Sequence, residues 1–242
     1  MAGHTRRPYP VQRLTLVASL ALVAVAAWAW LIDMASGMSG MGAAFMPWPT
    51  LVMWTAMMVA MMLPSAAPAI LVFAAATRRS PSWPAVLPYL FATGYLLAWT
   101  SFAGLATLTQ WGLNEAALLS PGQSLGTTTW AGMLLLGAGL FQWTRLKDAC
   151  LRSCRSPMGL VAQGLPLTPP RALGTGLRLG LFCTGCCWAL MALMFVGGVM
   201  SLAWMAGLTL LILLEKLIPY PRRLSRCVGT GLIAYGGWLA LG

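Results

Sequence analysis

Charged residues are scarce in this chain, and acidic ones are almost absent. Of its 242 residues only 8% are charged and four are Asp or Glu, whereas 59% are hydrophobic. Soluble globular domains carry about a quarter charged residues, so the composition excludes that class and indicates a polytopic membrane protein. No connection between the apolar runs is long enough to bury a core of its own. The sequence therefore predicts a single transmembrane domain over residues 1–242.

Motifs that couple transport to an energy source are also missing. The chain has no Walker motif, no aspartyl-phosphorylation loop and no nucleotide-binding domain. Its single histidine, His4, lies in the N-terminal tail and receives no role. Any cargo would therefore move passively, by exchange between ligands, and we expect a protein that is not an enzyme.

The apolar runs predict an all-α bundle of about seven transmembrane helices. A hydrocarbon core of roughly 30 Å needs about 20 apolar residues in a helix. The run over residues 179–214 is too long for one such helix and is expected to break at Gly197 and Gly198 into a hairpin. The first run also resembles a secretory signal, but it is long enough to span. The predicted spans cover residues 14–32, 50–76, 84–110, 127–143, 172–196, 200–217 and 226–241.

Basic residues orient these spans. With the N-terminus inside, all 15 Lys and Arg residues fall on the cytoplasmic side, as the positive-inside rule requires. The C-terminus is then outside. The net charge of +11 is explained by contact with anionic lipid headgroups, so no nucleic acid partner is needed. We predict a multi-pass protein of the bacterial inner membrane.

Soft sulfur ligands are concentrated in two of the predicted spans. The second span places its methionines on one face, within an arc of about 180°, and the fifth span places its cysteines and methionines within about 140°. Both groups are expected near matching depths, with the cysteines near the bilayer midplane. The candidate metal ligands are Met57, Met58, Met61, Met62, Cys183, Cys186, Cys187, Met191 and Met194.

Thioethers and thiolates select Cu(I), whereas harder divalent ions prefer oxygen or nitrogen ligands. The sulfur-bearing faces of the second and fifth spans, here called the two stripes, therefore predict a path for copper. A further set of methionines continues this path at its outer end. That outer set comprises Met34, Met38, Met41, Met46 and Met200. The alternative is that the sulfurs only pack, since methionine is a flexible filler and buried cysteine is ordinarily an inert small hydrophobe.

A separate cysteine pair, Cys150 and Cys154, follows the fourth span at a spacing of four residues. In the reducing cytosol these residues should be thiols rather than a disulfide. Neighbouring Lys147, Arg152 and Arg155 should favour the thiolate form. The pair is a candidate cytoplasmic acceptor for copper, and a mere anchoring role is the alternative.

Five sequence motifs occur in a fixed order along the chain. They cover Met53–Ser65, Phe141–Pro157, Gly185–Met191, Gly198–Met205 and Leu214–Lys216. In this combination the chain resembles a bacterial family of predicted metal-binding integral membrane proteins, formerly a domain of unknown function, which includes a tyrosinase-associated copper chaperone. The resemblance implies delivery of copper to a copper-dependent enzyme, without implying that the recipient is a tyrosinase.

The leading hypothesis is thus a membrane chaperone that binds Cu(I) through Met and Cys and exchanges it with a copper-dependent enzyme or its metallochaperone. One rival is a membrane thiol-disulfide oxidoreductase that uses the cysteine pairs. It is weaker, because adjacent cysteines strain a disulfide and the outer loops contain no cysteine. The other rival is a non-catalytic assembly subunit with structural sulfurs.

Overall fold

The computed structural model describes residues 9–37, 46–77, 85–120, 123–156, 159 and 168–241, and within them the chain is almost entirely α-helical. One isolated bridge joins Leu119 to Leu125 in the loop after the third helix. The helices are α1 Tyr9–Gly37, α2 Pro47–Thr77, α3 Leu87–Glu115, α4 Thr128–Gln142, α5 Arg145–Arg155, α6 Pro169–Ala192, α7 Met194–Gly197, α8 Leu202–Leu217 and α9 Pro221–Leu241.

Four helical stretches have the length and composition to cross a membrane: α1, α2, α3 and residues 169–197, which join α6 to α7. The other three predicted spans coincide with α4, α8 and α9, which have 15, 16 and 21 residues. The all-α prediction is confirmed. The start of the third predicted span, residue 84, lies outside the described residues.

Helices α3 and α6 pack unusually closely, because glycines remove side chains from their interface. A Cβ atom built on Gly176 would lie 1.9 Å from the Phe91 carbonyl oxygen, and one on Gly94 would lie 2.1 Å from the Leu173 carbonyl oxygen. Small residues of this kind let helix backbones approach in membrane proteins, where lipid provides no hydrophobic drive for helix association. Helix α3 also packs against α2, so it lies between the two sulfur-bearing helices.

Helix α2 continues through two prolines, Pro64 and Pro68. Pro64 has no N–H to donate, so the carbonyl oxygen of Ala60 loses its helical partner. The indole N–H of Trp28 on α1 donates to that oxygen at 3.1 Å. Trp28 therefore binds helix α2 inside the bundle rather than serving only as an interfacial anchor.

The predicted hairpin break lies at Gly198, which has a φ of 90° and ends the short helix α7. The left-handed conformation suits glycine because it has no Cβ atom. The structure also separates α5 from α4 at Thr144, whose hydroxyl accepts a hydrogen bond from the Lys147 backbone N–H at 3.2 Å. Cys150 and Cys154 thus lie on a helix of their own rather than on the end of α4.

Candidate metal centre

Three cysteines from two helices meet inside the protein. Cys183 and Cys186 lie one turn apart on α6, and Cys154 reaches them from α5. Their Sγ atoms all lie within 4.8 Å of one another. Their exposed fractions are 0%, 1% and 9%, respectively. Three converging soft sulfurs that are shielded from water form a ligand set suited to Cu(I). We call these three residues the cysteine cluster.

The structure thus changes the expected arrangement of cysteines. The sequence grouped Cys154 with Cys150 and apart from the cysteines of α6, but Cys154 belongs with Cys183 and Cys186. This arises because α5 folds back and packs along α6.

Cys187 and Cys150 flank the cluster on either side. The Sγ atom of Cys187 lies 3.3 Å from that of Cys186, and Cys187 is 1% exposed. Cys150 is half-buried on α5 and packs against Gly185, where a Cβ atom would lie 3.0 Å from the Cys150 sulfur. All six cysteines are free thiols.

Helix α5 is held in place by a buried ion pair. The Lys147 ammonium lies 2.8 Å from the Glu215 carboxylate on α8, and both side chains are 1% exposed. Lys147 also donates to Gln142, and the Ser225 hydroxyl donates to Glu215 at 2.9 Å. The network fixes α5 against α8 and so positions Cys154.

Burial, rather than nearby charge, dominates the ionisation of Cys150. Its thiol has a pKa raised above the ordinary value because the side chain is partly withdrawn from water. Neutralisation of Lys147 by Glu215 is one reason that the expected cationic effect is missing. The prediction that neighbouring cations favour a Cys150 thiolate is therefore wrong.

Polar groups from three other helices surround Cys183. The Tyr95 hydroxyl of α3 lies 3.0 Å from the Cys183 sulfur and donates to the Met62 carbonyl oxygen at 3.4 Å. The Lys216 ammonium of α8 lies 3.0 Å from the same sulfur and 2.7 Å from the Ser65 hydroxyl of α2. These contacts connect the methionine helix to the cysteine helix, at the level of Met62 and Ser65.

Sequence reasoning missed Tyr95 and the part played by Lys216. Tyr95 is a single hydroxyl within an apolar helix and carries no motif of its own. Lys216 is adjacent to Glu215, and adjacent side chains leave a helix in directions about 100° apart. Glu215 consequently faces α5, whereas Lys216 faces the cysteines.

The methionines of both stripes are fully enclosed in the same core as the cysteines. Met57, Met58, Met61, Met62, Met191 and Met194 each have an exposed fraction of 0%. Met191 also lines an apolar cavity of about 540 Å³ between α3, α4 and α6, with Trp54, Trp130 and Trp188 on its walls. The stripes therefore face protein rather than lipid.

The predicted outer methionines differ in their surroundings. Met34 and Met200 are half-buried against the core, and Met46 is 60% exposed. Met38 and Met41 lie outside the described residues.

The sequence of the chain was compared with known protein families, and the match bears on which metal the protein binds. A family model named PpoB2 and described as a copper chaperone matches residues 51–239, which include every helix that contributes to the cysteine cluster and its polar surroundings. Searches of curated proteins and of solved structures gave no match. The match covers most of the chain and implies copper as its metal, and the chain therefore belongs to the PpoB2 copper chaperone family.

Proposed function

We propose that this protein is a membrane chaperone that binds copper as Cu(I) at Cys154, Cys183 and Cys186 and transfers it to a copper-dependent enzyme or its metallochaperone. The observation that carries the proposal is the convergence of three buried thiols within 4.8 Å. A site of thiols alone favours a soft monovalent ion over ions that need oxygen ligands. Membership of a copper chaperone family supports the same metal.

The proposed transfer route follows the sulfurs along α6 and α2. Cys150 would receive copper at one end and pass it to the cysteine cluster. Cys187, Met191 and Met194 would continue the route along α6, and Met57, Met58, Met61 and Met62 would line it from α2. Met34, Met38, Met41, Met46 and Met200 would complete it at the outer surface. Transfer proceeds by exchange of one sulfur ligand for the next, so the protein needs no catalytic residues.

The proposed setting is the bacterial inner membrane. Seven spans, with the N-terminus inside and the C-terminus outside, would put α5 and its cysteines on the cytoplasmic side. The partners of this protein would then be membrane lipid, a cytoplasmic or external copper protein, and no nucleic acid.

A cysteine variant tests the centre directly. In detergent and under reducing conditions, the wild-type protein should bind Cu(I) stoichiometrically, and the double variant Cys183→Ser/Cys186→Ser should lose that binding. Cys227→Ser is the matched control, because Cys227 is an exposed thiol on α9. Metal analysis with X-ray absorption at the copper edge would measure stoichiometry and Cu–S coordination together. A double variant that binds copper as the wild type does would contradict the proposal and return the cysteines to packing.

A methionine variant tests the route separately. Replacement of Met57, Met61 and Met62 by Leu should leave membrane insertion intact, since Leu inserts at least as readily as Met. Copper should still bind at the cysteine cluster, but its transfer to the recipient should slow. Stopped-flow measurements on protein in vesicles would give the rate of copper transfer to the recipient. Met133→Leu is the control, because Met133 is an exposed methionine outside the stripes. An unchanged rate would leave the α2 methionines as core filler.

A further inference from the structure

The cation beside the cysteine cluster lacks a carboxylate partner. Of the four acidic residues in the chain, Glu215 pairs with Lys147 and Asp148 pairs with Arg222. Within the described residues, which include all four acids, no carboxylate lies within ion-pair distance of Lys216. Its ammonium instead contacts the Cys183 sulfur at 3.0 Å and the Ser65 hydroxyl at 2.7 Å.

Lys216 is half-buried, and an ammonium that loses part of its hydration needs a counter-charge, which a hydroxyl does not supply. The neutral contacts of Lys216 are therefore insufficient to explain its position. Among the described residues, the groups around it that can carry negative charge are the thiols of Cys183, Cys154 and Cys187 and the hydroxyl of Tyr95. In contrast, Lys147 is neutralised by Glu215 and has no such requirement.

A copper thiolate centre would supply the negative counter-charge that Lys216 lacks. Cu(I) bound by two thiolates carries a net charge of minus one, and Cu(I) bound by three carries minus two. Burial of such an anion is unfavourable unless a cation or hydrogen-bond donors compensate it. Lys216 supplies one positive charge and a donor directed at one of the sulfur ligands.

We infer that Lys216 is a positioning residue of the metal centre, whose ammonium compensates the negative charge of the copper-bound Cys183 thiolate and thereby raises the affinity for Cu(I). The inference rests on the proposed function and adds to it the group that lets an anionic copper site exist inside the protein. The Ser65 hydroxyl accepts from the same ammonium and donates to the Met62 carbonyl oxygen.

The test compares Lys216→Met and Lys216→Gln with Arg223→Gln as the control, which removes an exposed positive charge on α9. Both Lys variants remove the charge, and Gln keeps a hydrogen-bond donor. Their Cu(I) affinity, measured by competition with a chromophoric Cu(I) chelator at fixed pH, should fall about tenfold to a hundredfold, as expected for a lost hydrogen bond to a charged group. Arg223→Gln should bind within about twofold of the wild type, since water screens the charge of an exposed side chain.

Thermal melting in detergent distinguishes a structural role from this one. Variants that melt at a lower temperature but bind Cu(I) with wild-type affinity would overturn the inference, because Lys216 would then only support the fold. Wild-type affinity in both Lys variants would overturn it as well, while leaving the proposed copper site standing. A wild-type protein that binds no Cu(I) would instead overturn the proposed function, and the inference with it.

Discussion

Single residues decide how copper could enter this protein. Cys150 lies half-buried at the surface of α5, whereas Cys154, one turn later, is enclosed with Cys183 and Cys186. A thiol reacts and binds metal as the thiolate, so a raised pKa makes Cys150 unreactive until a metal or base removes its proton. In the proposed route, Cys150 would have to lose this proton before it binds copper.

This ionisation predicts a pH-dependent alkylation rate. Because the Cys150 pKa lies above its ordinary value, the thiolate fraction is small at neutral pH and increases about tenfold for each pH unit below that pKa. Alkylation of Cys150 by iodoacetamide should be slow at pH 7 and accelerate steadily up to pH 9, as measured by mass spectrometry of its peptide. The peptide that contains exposed Cys227 provides the reference. A Cys150 rate that is high and flat over this range would contradict the expected ionisation.

The ligands were predictable at the residue scale, but their grouping was not. The sequence alone identified Cys183, Cys186 and the methionines of α2 as candidate metal ligands, because they are soft sulfur side chains spaced along one face of a helix. The contacts of Cys154, Tyr95 and Lys216 depend on how α3, α5 and α8 pack against α6. Such contacts come from residues far apart in the chain, and no local pattern encodes them.

At the level of helices, close packing between α3 and α6 supports the centre. Tyr95 on α3 can reach Cys183 because the two backbones approach at Gly94, Gly176 and Gly180. Hydrophobic periodicity predicts the helices but says little about which faces meet, since every face of a membrane helix is apolar. The short helix α5 was missed for a related reason: a connection rich in charge gave no apolar run to follow.

A pair of glycine variants should separate packing from helix propensity. Gly176→Ala would place a methyl group 1.9 Å from the Phe91 carbonyl oxygen, whereas Gly174→Ala, on the same helix, would meet no atom within 4 Å. Overpacking typically costs about 1–3 kcal/mol, so Gly176→Ala should melt at a clearly lower temperature and bind Cu(I) more weakly. Gly174→Ala should melt at the same temperature or slightly higher, because alanine favours helix by about 0.5–1 kcal/mol. Equal melting of the two variants would show that α3 and α6 do not pack this closely.

For the whole molecule, the distribution of charge predicts the orientation of the helices in the membrane. Basic residues concentrate around α5 and the start of α9, where Arg152, Arg222, Arg223 and Arg226 are exposed. The positive-inside rule puts that end of the bundle in the cytoplasm. The sequence predicts this orientation from charge alone. It remains a prediction, because the packing of the helices does not show which end of the bundle faces the cytoplasm.

Reporter fusions would test the orientation. A reporter active only outside the cytoplasm should be active after Ser120 and after Leu241, and inactive after Ser156. A reporter active only in the cytoplasm, fused at the same positions, is the reciprocal control. Cytoplasmic activity after Ser120 would invert the proposed route and place the cysteine cluster near the outer surface.

The ion pair between Lys147 and Glu215 has a thermodynamic consequence for loading. Because side chains alone hold α5 against α8, the proposed copper site would be preorganised, and copper would not have to assemble its own ligands. Metal sites that fold around their ion bury apolar surface as they do so, which gives binding a large negative heat-capacity change. Here the apolar surface is buried before copper binds, so the enthalpy of copper binding should hardly change with temperature. A site that neither folds on loading nor unfolds on release can exchange its cargo quickly and repeatedly.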